Sequence, residues 1–289
     1  MNNVNHDIKN YIKIILIICV SALLLMVLEW GLLDFQNITN LPHDTAIRTL
    51  VENQKPFVMK QSALIKIVLG VLAFFLIAEV RQDCFHISPS YAIIILIVFF
   101  IMIIGTVVSL SMMMVGGVPL VPLFFIMSTS TSAGLYMYIG VIFMNFLFGN
   151  TTIGLDKKQK LKKAALSFVI IFIGSAFSWY GKTIIENHFP SAYMGLIFSI
   201  IYVVLGAIDG LALVWIMVPF KKENYKFQLT YVLIGSGFFL LEMVLLILFG
   251  SGLVSYDMFS LFLFQEMTIV SLSALFAIIL IRGFYGIER

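Results

Sequence analysis

Two glutamates lie inside apolar stretches of the chain, where an ionisable side chain is rare. Glu242 falls within the run 228–250, and Glu266, preceded by Gln265, falls within the run 259–281. If these runs are consecutive antiparallel helices joined by a short turn, both carboxylates lie about 12 Å below the same membrane surface, at about 1.5 Å of rise per residue. Two carboxylates at one depth predict a shared proton or a bound cation. The structural alternative is that each acid is protonated and hydrogen-bonded to a neighbouring helix.

Asp209 is a third acid in an apolar run, and it lies between Gly206 and Gly210 in the segment GAIDG. Glycines four positions apart let another helix backbone approach closely. An acid is an unusual choice for packing alone, so Asp209 is predicted to bind a coupling ion and to form a relay with Glu242 and Glu266. The alternative is a packing motif whose acid bonds to a neighbouring hydroxyl.

A run of five hydroxyl residues interrupts the apolar stretch 118–148, and Ala133 and Gly134 extend it as small residues. Hydroxyl side chains can bond to the carbonyl one turn earlier and bend a helix. Interrupted helices near the membrane midplane often line a substrate site in transporters, whereas small residues also serve simply to pack helices tightly. Both interpretations apply to these residues, which are Ser128, Thr129, Ser130, Thr131 and Ser132.

The composition is that of a polytopic membrane protein. The 289 residues are 61% hydrophobic and 11% charged, against about 25% charged residues in soluble domains. A single all-α transmembrane domain is therefore predicted for residues 1–289. Apolar runs long enough to cross the hydrocarbon core predict eight helices, at 11–33, 62–80, 91–115, 118–148, 164–181, 192–218, 228–250 and 259–281.

A cluster of lysines between the fourth and fifth predicted helices orients the chain. Short basic loops stay on the cytoplasmic side, so the predicted loop 149–163 and both termini lie in the cytoplasm, and the loop 34–61 lies outside. The net charge of +3 is attributed to this orientation signal and not to nucleic-acid binding. The predicted partners are the lipid bilayer of the cell membrane and, at the cluster, anionic lipid or a cytoplasmic protein such as an ATPase. The cluster consists of Lys157, Lys158, Lys160, Lys162 and Lys163.

Several kinds of site are not indicated by the sequence. All four histidines fall outside the predicted helices, which argues against haem or metal ligation within the membrane. No nucleophile elbow or phosphate-binding loop occurs, so no cofactor, metal or catalytic residue is predicted. Glu29 and Lys66 are expected to form an ion pair near the outer ends of the first two helices. Four helices precede the lysine cluster and four follow it, but their polar residues do not align, so a duplicated fold is possible without support from the sequence.

Membrane transport is the function that these features favour. The protein would be a carrier driven by protons or cations, or a permease subunit of an exporter that works with a separate ATPase, with the buried acids binding the ion and the hydroxyl run lining the path. The alternative is a membrane protein that does not transport, such as an immunity factor, a sensor or an assembly partner that docks through its lysines. An enzyme acting on lipid head groups would need a clustered acid, base and arginine, which the sequence lacks.

Overall fold

A computed structural model of the protein describes residues 11–27, 64–78, 87–114, 133–148, 156–188, 191–218, 227–250 and 266–285. Within these ranges the chain forms eight α-helices and no β-strand, which confirms the all-helical prediction for this part of the chain. The helices are α1 (Tyr11–Val27), α2 (Leu64–Ile77), α3 (Pro89–Met114), α4 (Ala133–Leu147), α5 (Lys157–His188), α6 (Ser191–Met217), α7 (Leu229–Gly250) and α8 (Glu266–Phe284).

The exterior of the bundle is apolar. Large hydrophobic side chains such as Leu16, Phe177 and Leu240 are more than half exposed, a surface that water would solvate poorly. Among the described helices, three contain segments long and apolar enough to cross a membrane, at Lys158–Ser178, Ile197–Met217 and Leu229–Leu248. These features agree with membrane association.

One end of the bundle collects cations, which cap helix ends that belong to other helices. Lys163 Nζ donates a hydrogen bond of 3.0 Å to the Val218 carbonyl at the end of α6. Arg282 Nη1 donates to the Leu76 carbonyl in the last turn of α2. The last carbonyls of a helix lack partners within the helix and carry partial negative charge, so these contacts are favourable. We refer to this end, where α1, α3, α5 and α7 begin and α2, α4, α6 and α8 finish, as the basic end.

The lysine cluster is helical where the sequence predicted a loop. α5 begins at Lys157 and runs for 32 residues to His188, whereas a loop through residue 163 and a helix ending at 181 were expected. Lysine has a high helix propensity, and its long stem can lie along apolar surface while the ammonium group remains in water. The cluster therefore forms the first two turns of α5, with Lys158 and Lys162 exposed.

The second half of the bundle repeats the first. Ser88 N donates to Phe146 O at 2.9 Å, and Gln228 N donates to Gly283 O at 2.7 Å. Gln228 lies 140 positions after Ser88, and Gly283 lies 137 positions after Phe146. The α3–α4 contact is thus reproduced between α7 and α8.

Close glycine contacts show the same two offsets. A Cβ on Gly70 of α2 would overlap the Met137 carbonyl of α4, and a Cβ on Gly210 of α6 would overlap the Ala274 carbonyl of α8. Gly210 again lies 140 positions after Gly70, and Ala274 lies 137 positions after Met137. Helices without a bulky side chain at the crossing can approach this closely. Helices α2–α4 and α6–α8 therefore have equivalent packing, which supports the duplicated fold that the sequence left open.

Helices α1 and α5 extend the repeat through their buried faces. With an offset of 150 positions, buried residues of α1 correspond to buried residues of α5 at four successive turns. We call α1–α4 the first unit and α5–α8 the second unit. At the centre, α8 contacts α4, and α8 is buried continuously from Thr268 to Ile279. The buried residues of α1 and their equivalents in α5 are Ile14 and Ala164, Ile17 and Ser167, Ser21 and Ile171, and Leu25 and Ser175.

Candidate functional site

Asp209 lies where α4, α5 and α6 meet. It is fully buried, and neither carboxylate oxygen has a hydrogen-bond partner among the described residues. A Cβ on Gly134 would overlap Asp209 Oδ2 and would lie 3.1 Å from Ile171 Cγ2. The carboxyl group therefore lies directly on the backbone of α4, at a position where only glycine leaves room for it. A buried carboxyl group without a hydrogen bond is costly, so this position is a strong candidate for a site that a proton or cation occupies.

The site lies between the two units. Asp209 belongs to the second unit, and Gly134 belongs to the first. In transporters built from structural repeats, substrate and ion sites lie at the interface between repeats. The repeat has an equivalent interface between α2 and α8. There Leu69, 140 positions before Asp209, takes the place of the acid, and Ser271, 137 positions after Gly134, takes the place of the glycine. Only one of the two related interfaces therefore carries an acid at this position.

Glu242 occupies a different crevice, between α7 and α8. Its Oε2 atom accepts a hydrogen bond of 2.9 Å from Ser273 Oγ, while Oε1 has no partner within the described segments. Ser273 also faces α6, because a Cβ on Gly206 would lie 2.7 Å from Ser273 Cβ. Glu242 is 7% exposed, so this carboxyl group is buried but partly satisfied.

The sequence predicted Glu242 and Glu266 at the same depth, whereas the structure places them at different levels. Glu242 bonds to Ser273, which lies seven positions after Glu266. Seven residues of helix correspond to about 10 Å of axial rise. Glu242 is thus level with Ser273, about two turns nearer the basic end than Glu266. Gln265 and the side chain of Glu266 lie outside the described residues, and their predicted role stays a prediction.

The two described acids face different neighbours. Asp209 faces α4 and α5, whereas Gly206 and Gly210 on the same helix face α8. No hydrogen bond joins Asp209 to Glu242 in the part of the chain that the structure describes. The relay through both acids therefore stays a prediction.

The hydroxyl run Ser128–Ser132 lies outside the described residues, which resume at Ala133. Gly134, which ends the run of small residues in the sequence, is the residue of α4 in contact with Asp209. The sequence treated the run and Asp209 as separate features. The structure shows that the residues just after the run belong to the same site as the acid.

Sequence reasoning missed an aromatic cluster beside Asp209. Tyr138 is fully buried, donates a hydrogen bond of 2.8 Å from its hydroxyl group to Ala164 O, and has its ring centroid 5.7 Å from that of Phe168. Tyr138 follows Gly134 by one helical turn, so both residues lie on one face of α4. That spacing could have identified Tyr138, but a tyrosine within an apolar run is more often an ordinary core residue.

Buried serines on α5 were also missed. Ser167, Ser175 and Ser178 are buried on the face that carries Ile171. Together with Ile171 their positions recur at intervals of three or four residues, the period of one helix face. Ser167 Oγ donates to Ala212 O at 2.8 Å, whereas Ser175 Oγ and Ser178 Oγ have no hydrogen-bond partner among the described residues.

Lys66 is buried in the first unit. It is 1% exposed, and its Nζ atom lies 5.5 Å from the centroid of the Tyr136 ring, within the range of a cation–π contact. Its predicted partner Glu29 lies outside the described residues. Lys66 lies in the first turn of α2, near a helix end as the sequence predicted, and its side chain packs within the bundle. The ion pair with Glu29 stays a prediction.

Neither metal ligation nor similarity to other proteins identifies the site. The described residues contain no group of three or more His, Cys, Asp or Glu side chains that could hold a metal ion. No protein-family model, curated protein or solved structure matches the chain.

Proposed function

We propose that the protein is a multi-pass membrane transport protein whose coupling ion, a proton or a monovalent cation, binds at Asp209. The observation that carries this proposal is the full burial of Asp209 against Gly134, with neither carboxylate oxygen hydrogen-bonded within the described chain. Its position between the two units supports the same role, because alternating access moves such units against each other around a fixed site.

In this proposal all eight helices cross the cell membrane and the basic end faces the cytoplasm. The alternating direction of the helices, the apolar exterior and the collection of cations at one end support this topology. Positively charged residues near helix ends are retained on the cytoplasmic side. Both chain termini would then be cytoplasmic.

A buried acid suits ion coupling because its charge is costly in a medium of low polarity. A carboxylate without a partner is stabilised when it gains a proton or a cation, and the site becomes costly again when that ion leaves. The conformation of the protein can therefore depend on occupancy. Neither oxygen of Asp209 accepts a hydrogen bond from a lysine or arginine of the described chain, so the mobile ion would supply the neutralising charge.

The lysine cluster provides a surface for a cytoplasmic partner. Lys158 and Lys162 are exposed at the start of α5, where they could contact anionic lipid or an ATPase. A carrier would work without the ATPase, whereas a permease subunit would require it. Transport by the purified protein alone is therefore the property that separates these two forms of the proposal.

The test is ion-driven flux in proteoliposomes that contain only this protein. We expect an imposed gradient of protons or of sodium to produce flux, which a dye for the transported ion would report. Asp209→Asn should abolish coupling, because the amide cannot release a proton or balance a cation. Glu242→Gln separates a single site from a relay: coupling is lost if Glu242 passes the ion to Asp209, and it is retained if Asp209 binds the ion alone while Glu242 serves only its hydrogen bond with Ser273. Equal flux in the wild-type protein, Asp209→Asn and empty liposomes would contradict the proposal.

A membrane protein that does not transport is the second candidate. The observation that favours it is the close backbone packing at Gly70, Gly140 and Gly210, which is typical of helices that stay together. In that case Asp209 would be a protonated packing residue. Asp209→Asn would then leave both the fold and the activity unchanged, which is the opposite of the result expected for a coupling site.

A further inference from the structure

Helices α5 and α6 run side by side past Asp209 in a fixed antiparallel register. Ser167 Oγ bonds to Ala212 O, and seven positions further along α5 a Cβ on Gly174 would lie 3.2 Å from Leu205 Cδ1, seven positions back along α6. Ile171 accordingly lies level with Asp209. This register shows, for each remaining polar residue of the two helices, whether it lies between Asp209 and the basic end or on the opposite side of Asp209.

Away from the basic end, the polar residues next to Asp209 are hydroxyls. Ser175 and Ser178 follow Ile171 on the buried face of α5, and Tyr202 precedes Asp209 by two turns on the same face of α6; all three are buried. A serine in an apolar helix usually bonds to a carbonyl of the preceding turn. Neither Ser175 Oγ nor Ser178 Oγ does so within the described segments, so both hydroxyl groups can bond to water or to an ion.

Toward the basic end, the same crossing is closed by satisfied contacts. Tyr138 lies one turn beyond Gly134, its hydroxyl group bonds to Ala164 O, and its ring packs against Phe168. The Ser167 hydroxyl group is bonded to Ala212 O. On this side the Tyr138 and Ser167 hydroxyl groups already donate hydrogen bonds, and the Tyr138 ring lies one turn from the contact between Gly134 and Asp209, so the crossing is closed to an ion.

We propose that in this conformation Asp209 exchanges its ion with the compartment opposite the basic end, along a hydroxyl-lined path formed by Ser175, Ser178 and Tyr202, and that Tyr138 closes the route toward the basic end. The proposal rests on the transport function proposed above. It adds the side of access, the residues that line the path and the residue that blocks the other side.

The contact of Tyr138 with Ala164 and Phe168 lies between the two units, so motion of one unit relative to the other would open it. Tyr138 belongs to the first unit, whereas Ala164 and Phe168 belong to the second. Rigid-body motion of one unit against the other would break the Tyr138–Ala164 hydrogen bond and separate the two rings. The same motion would carry Gly134 away from Asp209, so closure and ion site are coupled through α4.

Cysteine accessibility tests the path. In a background with Cys19→Ser and Cys84→Ser, single cysteines replace Ser175, Ser178 and Ser167. Each variant is treated with a charged, membrane-impermeant thiol reagent added to one side of sealed vesicles of known orientation. Ser175→Cys and Ser178→Cys should react from the side opposite the basic end, at least tenfold faster than from the other side. Ser167→Cys, on the same helix face, should react from neither side.

Opening the closure provides the second arm. Tyr138→Ala should make the cysteine at position 167 reactive from the basic end, while Tyr138→Phe, which keeps the ring, should leave it protected. If Tyr138→Ala does not fold, the reactivities at 175 and 167 in the presence of Tyr138 still decide the proposal. Equal reactivity at 167 and 175, or no reaction at 175 from either side, would overturn it.

The outcomes separate this inference from the proposed function. Flux that depends on Asp209, together with unreactive cysteines at 175 and 178, would remove the path and leave the transport function intact. One-sided reactivity without any ion-driven flux would retain the path and remove the transport function.

Discussion

The carboxyl group of Asp209 lies directly against the Cα atom of Gly134, and this contact joins the two units of the bundle at a fully buried acid. Gly70, Gly140 and Gly210 bring backbone next to a backbone carbonyl, but Gly134 brings backbone next to an acid. The size of residue 134 therefore controls the space available to the carboxyl group. Any ion that binds Asp209 must fit within the same space.

Gly134→Ala is predicted to destabilise the protein and to abolish ion coupling. The added methyl group would overlap Asp209 Oδ2, and overpacking of a buried site costs about 1–3 kcal/mol. Gly237→Ala is the matched control, because a Cβ on Gly237 of α7 would meet nothing within 4 Å among the described atoms. Thermal unfolding in detergent and flux in proteoliposomes measure the two effects.

The contact itself can be isolated by a double-mutant cycle. Asp209→Ala removes the carboxyl group that the Gly134→Ala methyl group would strike, so the double variant should recover at least half of the stability lost by Gly134→Ala alone. Equal losses from Gly134→Ala in the presence and absence of the carboxyl group would show that the two residues are not in contact.

Gly70→Ala and Gly210→Ala are predicted to destabilise the protein by similar amounts. Each methyl group would overlap a backbone carbonyl, of Met137 in one unit and of Ala274 in the other. Backbone cannot move aside as a side chain can, so each substitution should cost about 1–3 kcal/mol. The free energy of unfolding in a detergent–denaturant titration measures both.

Gly181→Ala serves as the control for this pair, because a Cβ there would meet nothing within 4 Å in the described structure. It should change stability by no more than the difference in helix propensity, which is about 1 kcal/mol in favour of alanine. A neutral result for either Gly70→Ala or Gly210→Ala, beside a large loss for the other, would contradict the equivalence of the two units.

Some features of this fold produce a pattern in the sequence, and others do not. The apolar runs predict helices because every backbone polar group must be satisfied within the hydrocarbon core. The repeat leaves almost no such pattern, because its equivalence lies in backbone contacts such as Ser88 N to Phe146 O and Gln228 N to Gly283 O. The side chains at equivalent positions have diverged, so a comparison of polar residues does not detect it.

The sequence predicted the acid of the candidate site but not the residues around it. Asp209 is conspicuous because an acid in an apolar run is costly. Its contact with Gly134, 75 positions earlier in the chain, depends on how three helices cross, and no local pattern encodes that crossing. Tyr138 was missed for the same reason, since its role comes from Ala164 and Phe168 on another helix.

Ser273→Ala is predicted to destabilise the protein by leaving Glu242 without a described hydrogen bond. The pair is buried and joined at 2.9 Å, and an unsatisfied buried acceptor costs about 1–3 kcal/mol. Ser236→Ala is the control, because the Ser236 hydroxyl group bonds only to carbonyls of its own helix, 2.6 Å from Val232 O. Thermal unfolding should show a larger loss for Ser273→Ala, and equal losses would mean that the α7–α8 bond contributes nothing specific.

Arg282→Ala is predicted to weaken the contact between the two units at the basic end. Arg282 belongs to α8, yet its guanidinium group bonds to Leu76 O at the end of α2 and lies 4.9 Å from the Tyr231 ring centroid. A hydrogen bond from a charged donor contributes about 1.5–3 kcal/mol. The cation–π contact joins α7 and α8 within the second unit, so its loss lowers the stability of that unit in addition. Arg282→Lys should restore only part of this, since an ammonium group lacks the planar fork that can reach a carbonyl and lie over a ring together.

The repeat supplies the control for Arg282. Asn145 lies 137 positions earlier, at the equivalent place on α4, and its amide group bonds to Val141 O of the same helix at 2.9 Å. Asn145→Ala removes a bond within one helix and none between units, so it should cost less than Arg282→Ala. If the chain is expressed as two fragments divided between the units, Arg282→Ala should lower their co-purification several-fold and Asn145→Ala should not. Fragments that associate equally well in both variants would show that the Arg282–Leu76 bond does not hold the units together.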